Sequence, residues 1–176
     1  GFVSFHQDAK YIGLEPYNWV TVWLAVTDSN ENNGCMRMLP GSHKNLKYHE
    51  QKFDKNNLLT RGQTIEDVSL DETDPVILKA GEISLHHPLI VHGSGLNLSN
   101  DRRIGFVIQS YIGTNVNQVI GKMYVQKARG TDKYNYHEYS EIPLTLMGKN
   151  EINSQSKANK ELSKIFYNGS NKKGKF

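Results

Sequence analysis

The sequence predicts a mainly β protein, built as a barrel or a sandwich. Short apolar or alternating runs recur along the chain, and Gly, Pro, Asn or Asp bounds each of them. Residues 19–26 form a nearly continuous run of β-branched and aromatic residues, which is typical of a buried central strand. The 176 residues, 37% of them hydrophobic, are enough for one domain with a sizeable core.

Turn signals separate the candidate strands in chain order. Asn33-Gly34 and Pro40-Gly41-Ser42 flank one short run, because Gly permits a reversal and Pro lacks a donor for the strand ladder. The predicted strands cover residues 2–8, 19–26, 35–39, 76–78, 83–87, 89–92 and 103–112. Weaker patterns indicate a strand over residues 119–126 and a closing helix over residues 157–167.

A polar segment interrupts the strand pattern. Residues 43–75 are rich in Lys, Asn, Asp and Glu, so we predict a long loop or insertion that covers the substrate. Because the chain opens with Gly1 inside a predicted strand and without an initiator Met, we expect a fragment that lacks its N-terminal part. We place the core domain at residues 1–150 and a polar tail, with room for a short helix, at residues 151–176.

Composition excludes several classes of function. The net charge of +3 is small, and part of it comes from Lys172, Lys173 and Lys175 in what we predict to be a solvated tail, so nucleic acid is not an expected partner. No run approaches the roughly 20 apolar residues of a membrane helix, and we expect no membrane partner. Cys35 is the single cysteine and rules out an internal disulfide, which is compatible with a cytoplasmic location.

Three side chains form the candidate metal site. His6 and Asp8 are separated by one residue on a predicted strand, so both point to the same face. His92 ends another predicted strand and is the best third ligand. Two imidazoles and one carboxylate suit an octahedral iron(II) with three open positions, whereas structural zinc takes four ligands, commonly thiolates. The alternative is a His-x-Asp pair on a surface strand that serves solubility alone.

Arg103 lies on the face of its strand that we assign to the interior, where an unpaired guanidinium is costly to bury. A dicarboxylate co-substrate would satisfy it through a bidentate fork, and Ser94 would add a hydroxyl hydrogen bond. The alternative is an internal salt bridge with an Asp or a Glu. The adjacent His86 and His87 face opposite ways on a strand, so at most one of them lines the site. We leave His43 out of the ligands.

The motifs resemble one family in both order and spacing. From Gly1 to about Tyr111 the chain is similar to the phytanoyl-CoA dioxygenase family. The matching stretches are His6-Gln7-Asp8, Asn33-Gly34-Cys35-Met36, Leu39-Pro40-Gly41-Ser42-His43-Lys44 and His86-His87-Pro88-Leu89-Ile90-Val91-His92-Gly93-Ser94-Gly95, followed by Asn97 and Arg103. The resemblance implies a double-stranded β-helix (a jelly-roll, cupin-like fold) with few peripheral helices.

The resemblance also implies a site and an activity. Its metal ligands would be His6, Asp8 and His92, while Arg103 and Ser94 would hold 2-oxoglutarate and Trp23 would line the co-substrate pocket. The implied enzyme is an Fe(II)- and 2-oxoglutarate-dependent dioxygenase that uses O2 to hydroxylate a C–H bond of a small molecule, releasing succinate and CO2. Halogenating members replace the carboxylate ligand, whereas this chain retains Asp8. The alternatives are a non-catalytic or an isomerase-type metal-binding module, and the substrate and oligomeric state are not indicated.

Overall fold

The structure, a computed structural model, describes residues 1–171, so the predicted solvated lysines at 172, 173 and 175 lie outside the described residues. Strands dominate, which confirms the mainly β class. The elements are β1 (Val3–His6), α1 (Ala9–Ile12), β2 (Leu14–Glu15), β3 (Val20–Ala25), β4 (Met36–Leu39), β5 (Glu50–Gln51), β6 (Gln63–Thr64), β7 (Asp74–Pro75), β8 (Ile83–His86), β9 (Val91–Ser94), β10 (Gly105–Tyr111), β11 (Asn117–Gln118), β12 (Tyr124–Val125), β13 (Glu138–Tyr139) and α2 (Lys149–Phe166).

The chain divides into two compact units. The first contains residues 1–10 and 17–112, and the second contains residues 11–16 and 113–171 of the described chain. This division differs from the predicted boundary at residue 150, which stays a prediction. Among the described residues, no helix is both long enough and apolar enough to cross a membrane.

Two larger antiparallel sheets and the two-stranded pair of β5 and β6 lie in the first unit. One of the larger sheets has the strand order β10-β3-β8 and the other has the order β1-β9-β4-β7. A core cluster joins them, because Trp23 and Ala25 of β3 pack with Met36 of β4. Burial of hydrophobic side chains between two sheets is what the alternating sequence runs predict.

The observed strands differ from the predicted runs in several details. Along β3 the burial alternates, because only Thr21, Trp23 and Ala25 turn toward the core, so the strand is central but not buried on both faces. The run predicted at residues 76–78 contributes only an isolated bridge at Leu78, and the paired strand is β7. Residues 43–75 carry little regular structure, as predicted: β5, β6, β7 and short 3-10 turns.

The second unit has short strands and one long helix. Strands β2 and β11 pair antiparallel, and β12 pairs with β13 in parallel. The helix predicted at residues 157–167 is the second part of α2, which begins earlier, at Lys149. Only Ile165 of α2 is fully buried. The strand predicted over 119–126 is reduced to β12.

Gln7 links three segments of the first unit. Its side-chain amide donates to the carbonyl oxygens of Leu89 (2.6 Å) and Asn45 (2.9 Å), and its Oε1 accepts from the Lys47 amide (2.7 Å). Its backbone N–H donates to His49 Nε2 at 2.9 Å. The residue between His6 and Asp8 is therefore fully buried and tied to both the polar segment and the turn before β9.

His49 is a buried neutral histidine. Its Nε2 accepts the Gln7 N–H, and its Nδ1 lies 2.9 Å from the Lys47 carbonyl oxygen, which can only accept a proton. This pattern requires the neutral tautomer with the proton on Nδ1. Burial lowers the pKa of His49 to about 4.

Gly34 is required by close packing and not by its turn alone. Its φ of +72° lies in the left-handed region, and a Cβ added there would lie 2.8 Å from the Leu96 carbonyl oxygen. Gly41 has a similar φ of +76°, but an added Cβ would meet nothing within 4 Å. A side chain at either position would therefore strain the backbone, but only at Gly34 would it also clash with a neighbouring atom.

We predict that Gly34→Ala destabilises the protein clearly more than Gly41→Ala. In both variants an alanine must adopt a positive φ, which lowers the free energy of unfolding by about 1 kcal/mol. Only Gly34→Ala must also displace a backbone carbonyl, so its total loss should be about 2–3 kcal/mol. Urea unfolding of the two variants and the wild type measures the difference. Equal losses would contradict the close approach at Gly34.

We predict that His49 makes the stability of the protein fall on acidification. The unfolded chain binds a proton near the ordinary pKa of 6.5 and the folded chain only near 4, so stability is lost as the pH drops from 6.5 toward 4. Between pH 7 and pH 5 the wild type should lose about 2 kcal/mol more than His49→Gln in urea unfolding with a chelator present. The exposed His43→Gln is the control, and equal pH slopes for wild type and His49→Gln would sink the prediction.

Candidate metal centre

His6, Asp8 and His92 come together in the first unit. Each offers one ligand atom, and these atoms lie within 4.8 Å of one another. All three residues are buried, with exposed fractions of 6%, 8% and 7%. His6 Nε2 lies 3.4 Å from Asp8 Oδ1, and His92 Nε2 lies 3.9 Å from the same oxygen. The structure therefore brings together the three residues that the sequence predicts as ligands.

Strand pairing explains the convergence. In the antiparallel ladder of β1 and β9, His6 is directly opposite His92, so both imidazoles project from the same face and their ring centroids are 4.3 Å apart. Asp8 follows the end of β1, two residues after His6, and its carboxylate turns to the same side. The sequence predicts a strand that includes Asp8, whereas β1 ends at His6.

Backbone carbonyls fix the tautomers of both imidazoles. His6 Nδ1 lies 2.9 Å from the Ser4 carbonyl oxygen, and His92 Nδ1 lies 3.0 Å from that of Ile90. A carbonyl oxygen can only accept, so each Nδ1 carries a proton, and Nε2 is the ring nitrogen left to bind a metal. Outer hydrogen bonds of this kind orient metal-binding histidines.

The charge states also suit a cation. Burial by itself raises the pKa of Asp8, but His92, His6 and the Thr21 hydroxyl together outweigh it and hold that pKa well below the usual range. Burial lowers the pKa of His92 to about 3. At neutral pH Asp8 is therefore a carboxylate and His92 is a neutral imidazole, which are the forms that bind metal.

The donor set fits a divalent ion with open positions. Adjacent ligands of an ion bonded at about 2.1 Å are separated by roughly 3 Å, and the observed donor separations of 3.4 and 3.9 Å exceed this by less than an ångström. Among residues 1–171, the ligand group contains no fourth side chain and no thiolate. Cys35, the single cysteine, is buried and outside the group. The arrangement is that of a two-histidine, one-carboxylate iron site and differs from a closed zinc site.

Arg103 and Ser94 lie near each other, as the dicarboxylate hypothesis requires. Arg103 Nη2 is 3.4 Å from Ser94 Oγ, although Arg103 precedes β10 and is not within it as predicted. Within the part of the chain that the structure describes, no carboxylate lies within 4.0 Å of this guanidinium, so the predicted alternative of an internal salt bridge is not observed there. Burial lowers the pKa of Arg103, yet guanidinium remains charged in proteins.

Trp23 adjoins this cation. The Arg103 guanidinium carbon lies 5.7 Å from the Trp23 ring centroid. A Cβ added at Gly105 would strike the Trp23 indole, so glycine at this position of β10 leaves room for the ring. Sequence reasoning missed this role of Gly105, because the ring and the strand meet only in the folded sheet.

Of the two adjacent histidines, His86 faces the site. Its Nε2 lies 3.9 Å from Asp8 Oδ2 and its ring centroid is 5.0 Å from that of His92. Neither ring nitrogen of His86 has a hydrogen-bond partner among residues 1–171. His87 instead accepts a hydrogen bond from the Leu89 amide, 3.1 Å away, and its ring lies 5.7 Å from that of the exposed His43.

Thr21 was not singled out by sequence reasoning. Its Oγ1 donates to Asp8 Oδ2 at 2.7 Å. A usable signal was present, because strand alternation places Thr21 on the same face as Trp23. What the sequence did not show is that β3, in one sheet, lies next to the residue that follows β1 in the other sheet.

The chain is similar in sequence to proteins of one family. The sequence model of the phytanoyl-CoA dioxygenase family matches residues 1–105. The peroxisomal phytanoyl-CoA dioxygenase of Mus musculus is 34% identical over 97 residues, which cover 52% of this chain and 28% of that protein. A probable alpha-ketoglutarate-dependent hypophosphite dioxygenase of Stutzerimonas stutzeri is 30% identical over 122 residues, which cover 68% of this chain and 42% of that protein. The chain thus spans less than half the length of these relatives.

Solved structures confirm the predicted jelly-roll class. The non-heme monooxygenase ThoJ in its apo form has a TM-score of 0.80 and 29% identity, covering 94% of this chain and 60% of that one. The epimerase SnoN in complex with Fe3+, alpha ketoglutarate and nogalamycin RO has a TM-score of 0.51 at 20% identity, over 85% of this chain and 56% of that one, and shows the fold alone. Because the family match spans more than half of its residues, this chain belongs to the phytanoyl-CoA dioxygenase family.

Proposed function

We propose that this chain carries the catalytic site of an Fe(II)- and 2-oxoglutarate-dependent dioxygenase, which hydroxylates a C–H bond of a small molecule and releases succinate and CO2. The observation that carries the proposal is the buried group of His6, Asp8 and His92, with both imidazoles in the ligand tautomer. Family membership and the 2-oxoglutarate dependence in the name of the Stutzerimonas stutzeri relative support it. A cytoplasmic location stays a prediction.

The three ligands would hold iron(II) through His6 Nε2, His92 Nε2 and Asp8 Oδ1. When bound, the ion together with 2-oxoglutarate and O2 supplies the oxidising chemistry. The protein holds the ligand atoms in place beforehand: backbone carbonyls orient both imidazoles, and Gln7 ties the segment between the ligands to its surroundings. A ligand set fixed before binding loses little conformational freedom when the metal arrives.

Arg103, Ser94 and Trp23 would bind the co-substrate. The Arg103 guanidinium would form bidentate hydrogen bonds with the distal carboxylate of 2-oxoglutarate, and Ser94 Oγ would donate a hydrogen bond to the same group. The Trp23 indole provides an apolar wall beside them. Support comes from the partly buried guanidinium, which has no carboxylate within 4.0 Å among residues 1–171 and therefore lacks a counter-ion there.

The segment at residues 43–75 is proposed to cover the substrate. Backbone hydrogen bonds join the segment to β1 and to the residue just before it. The Phe2 amide donates to the Asn56 carbonyl oxygen (2.9 Å), and the Ile65 amide donates to the Phe5 carbonyl oxygen (2.7 Å). The segment therefore runs along the strand that carries His6. A loop in this place can exclude water from the site and contact a substrate.

We expect Asp8→Ala and His92→Ala to weaken metal binding by at least about 100-fold, because each removes one of three ligands and leaves the others buried without a cation. Anaerobic titration of full-length protein with Fe(II) measures this affinity. His43→Ala, which changes an exposed histidine outside the group, should bind like wild type. Unchanged Fe(II) affinity in both ligand variants would remove the basis of the proposed function.

We expect Arg103→Gln to weaken 2-oxoglutarate binding about 10- to 100-fold without changing metal affinity, since a lost charged hydrogen-bond pair costs about 1.5–3 kcal/mol. The exposed neighbour Arg102→Gln is the matched control and should bind like wild type. Titration of the metal-loaded proteins with 2-oxoglutarate makes the comparison. Retained 2-oxoglutarate affinity in Arg103→Gln would contradict the proposed role of Arg103, and unchanged activity of the variant would favour the isomerase-type alternative.

A further inference from the structure

The two oxygens of the Asp8 carboxylate have different surroundings. Oδ1 lies 3.4 Å from His6 Nε2 and 3.9 Å from His92 Nε2, so it faces the place where a metal would sit. Oδ2 lies 2.7 Å from Thr21 Oγ1, on β3 of the opposite sheet. Asp8 therefore presents one oxygen to the ligand group and has the other held from behind.

Thr21 is buried and its hydroxyl has little freedom, with 3% of the residue exposed. Oγ1 also lies 2.8 Å from the Gln109 carbonyl oxygen. A hydroxyl has a single hydrogen to donate, and the ionised carboxylate is the stronger acceptor of the two.

Among residues 1–171, the Thr21 hydroxyl is the side chain that hydrogen-bonds Asp8 Oδ2. His86 Nε2 lies 3.9 Å from the same oxygen, which is too long for a hydrogen bond. Thr21 therefore restrains the rotation of this carboxylate through its outer oxygen.

We propose that Thr21 is a positioning residue that keeps Asp8 Oδ2 away from the metal, so that Asp8 binds through Oδ1 alone. Carboxylates bind metal ions through one oxygen or through both. A second Asp8 oxygen on the metal would compete with 2-oxoglutarate and O2 for the positions that the three side chains would leave open. This inference rests on the proposed function. In it, Thr21 keeps coordination positions on the metal free for the co-substrates.

Three variants test the inference in full-length protein. Thr21→Val is similar in shape but lacks the hydroxyl, and Thr21→Ser keeps the hydroxyl. Thr73→Val is the matched control: Thr73 is also buried (4% exposed), and its Oγ1 donates to the Leu70 carbonyl oxygen and accepts from Arg37 Nε, away from the ligand group. The measurements are Mn(II) affinity, 2-oxoglutarate affinity of the Mn(II)-loaded protein, and crystal structures of the Mn(II) forms.

Thr21→Val should keep Mn(II) affinity within about threefold of wild type and bind 2-oxoglutarate at least about tenfold more weakly, as expected for loss of one charge-assisted hydrogen bond. Its Mn(II) structure should show both Asp8 oxygens bonded to the ion, against Oδ1 alone in wild type. Thr21→Ser and Thr73→Val should match wild type in both affinities.

Wild-type affinity of Thr21→Val for 2-oxoglutarate would overturn the inference. A Thr21→Val structure in which Asp8 Oδ2 is not bonded to Mn(II) would overturn it too. Loss of Mn(II) binding in Thr21→Val, with binding retained in Thr21→Ser, would overturn it as well, because the hydroxyl would then support the whole ligand group. If wild type binds Mn(II) but no 2-oxoglutarate, the proposed function fails. The Mn(II) structures of wild type and Thr21→Val still decide the role of Thr21 in that case.

Discussion

The antiparallel pairing of β1 with β9 is the constraint on which the site depends, because it puts His6 directly opposite His92. A shift of one residue in this ladder would turn one imidazole to the other face of the sheet. Asp8 needs no pairing of its own, since it follows His6 by two residues and its carboxylate reaches the same side. A single strand register thus gathers three ligands from two distant parts of the chain.

Hydrogen bonds around the ligands do most of the positioning. Gln7 turns away from the metal side and binds the polar segment and the Leu89 carbonyl, while Thr21 reaches Asp8 from the other sheet. Such outer partners matter because a coordination geometry needs side chains that are already oriented. The site is therefore supported from both of the larger sheets of the first unit.

Charge is distributed unevenly around the site. Asp8 is a buried anion beside the imidazoles of His6 and His92, and Arg103 is a partly buried cation without a carboxylate nearby among residues 1–171. Buried charges of this kind are expensive unless a partner compensates them. A divalent cation at the carboxylate and a dicarboxylate at the guanidinium would supply both partners, which is why one proposed function accounts for both residues.

The sequence by itself determined the mainly β class, the family and the residues that meet in the ligand group, because strand alternation and the spacing of short motifs are local properties of the chain. It misplaced the strand near residues 76–78, the end of β1 and the start of α2, where local patterns are weak. Only the tertiary structure decided the roles of Thr21 and Gly105. Those roles depend on how closely Thr21 approaches Asp8 and how closely Gly105 approaches Trp23 in the folded chain. No local sequence pattern encodes such a distance.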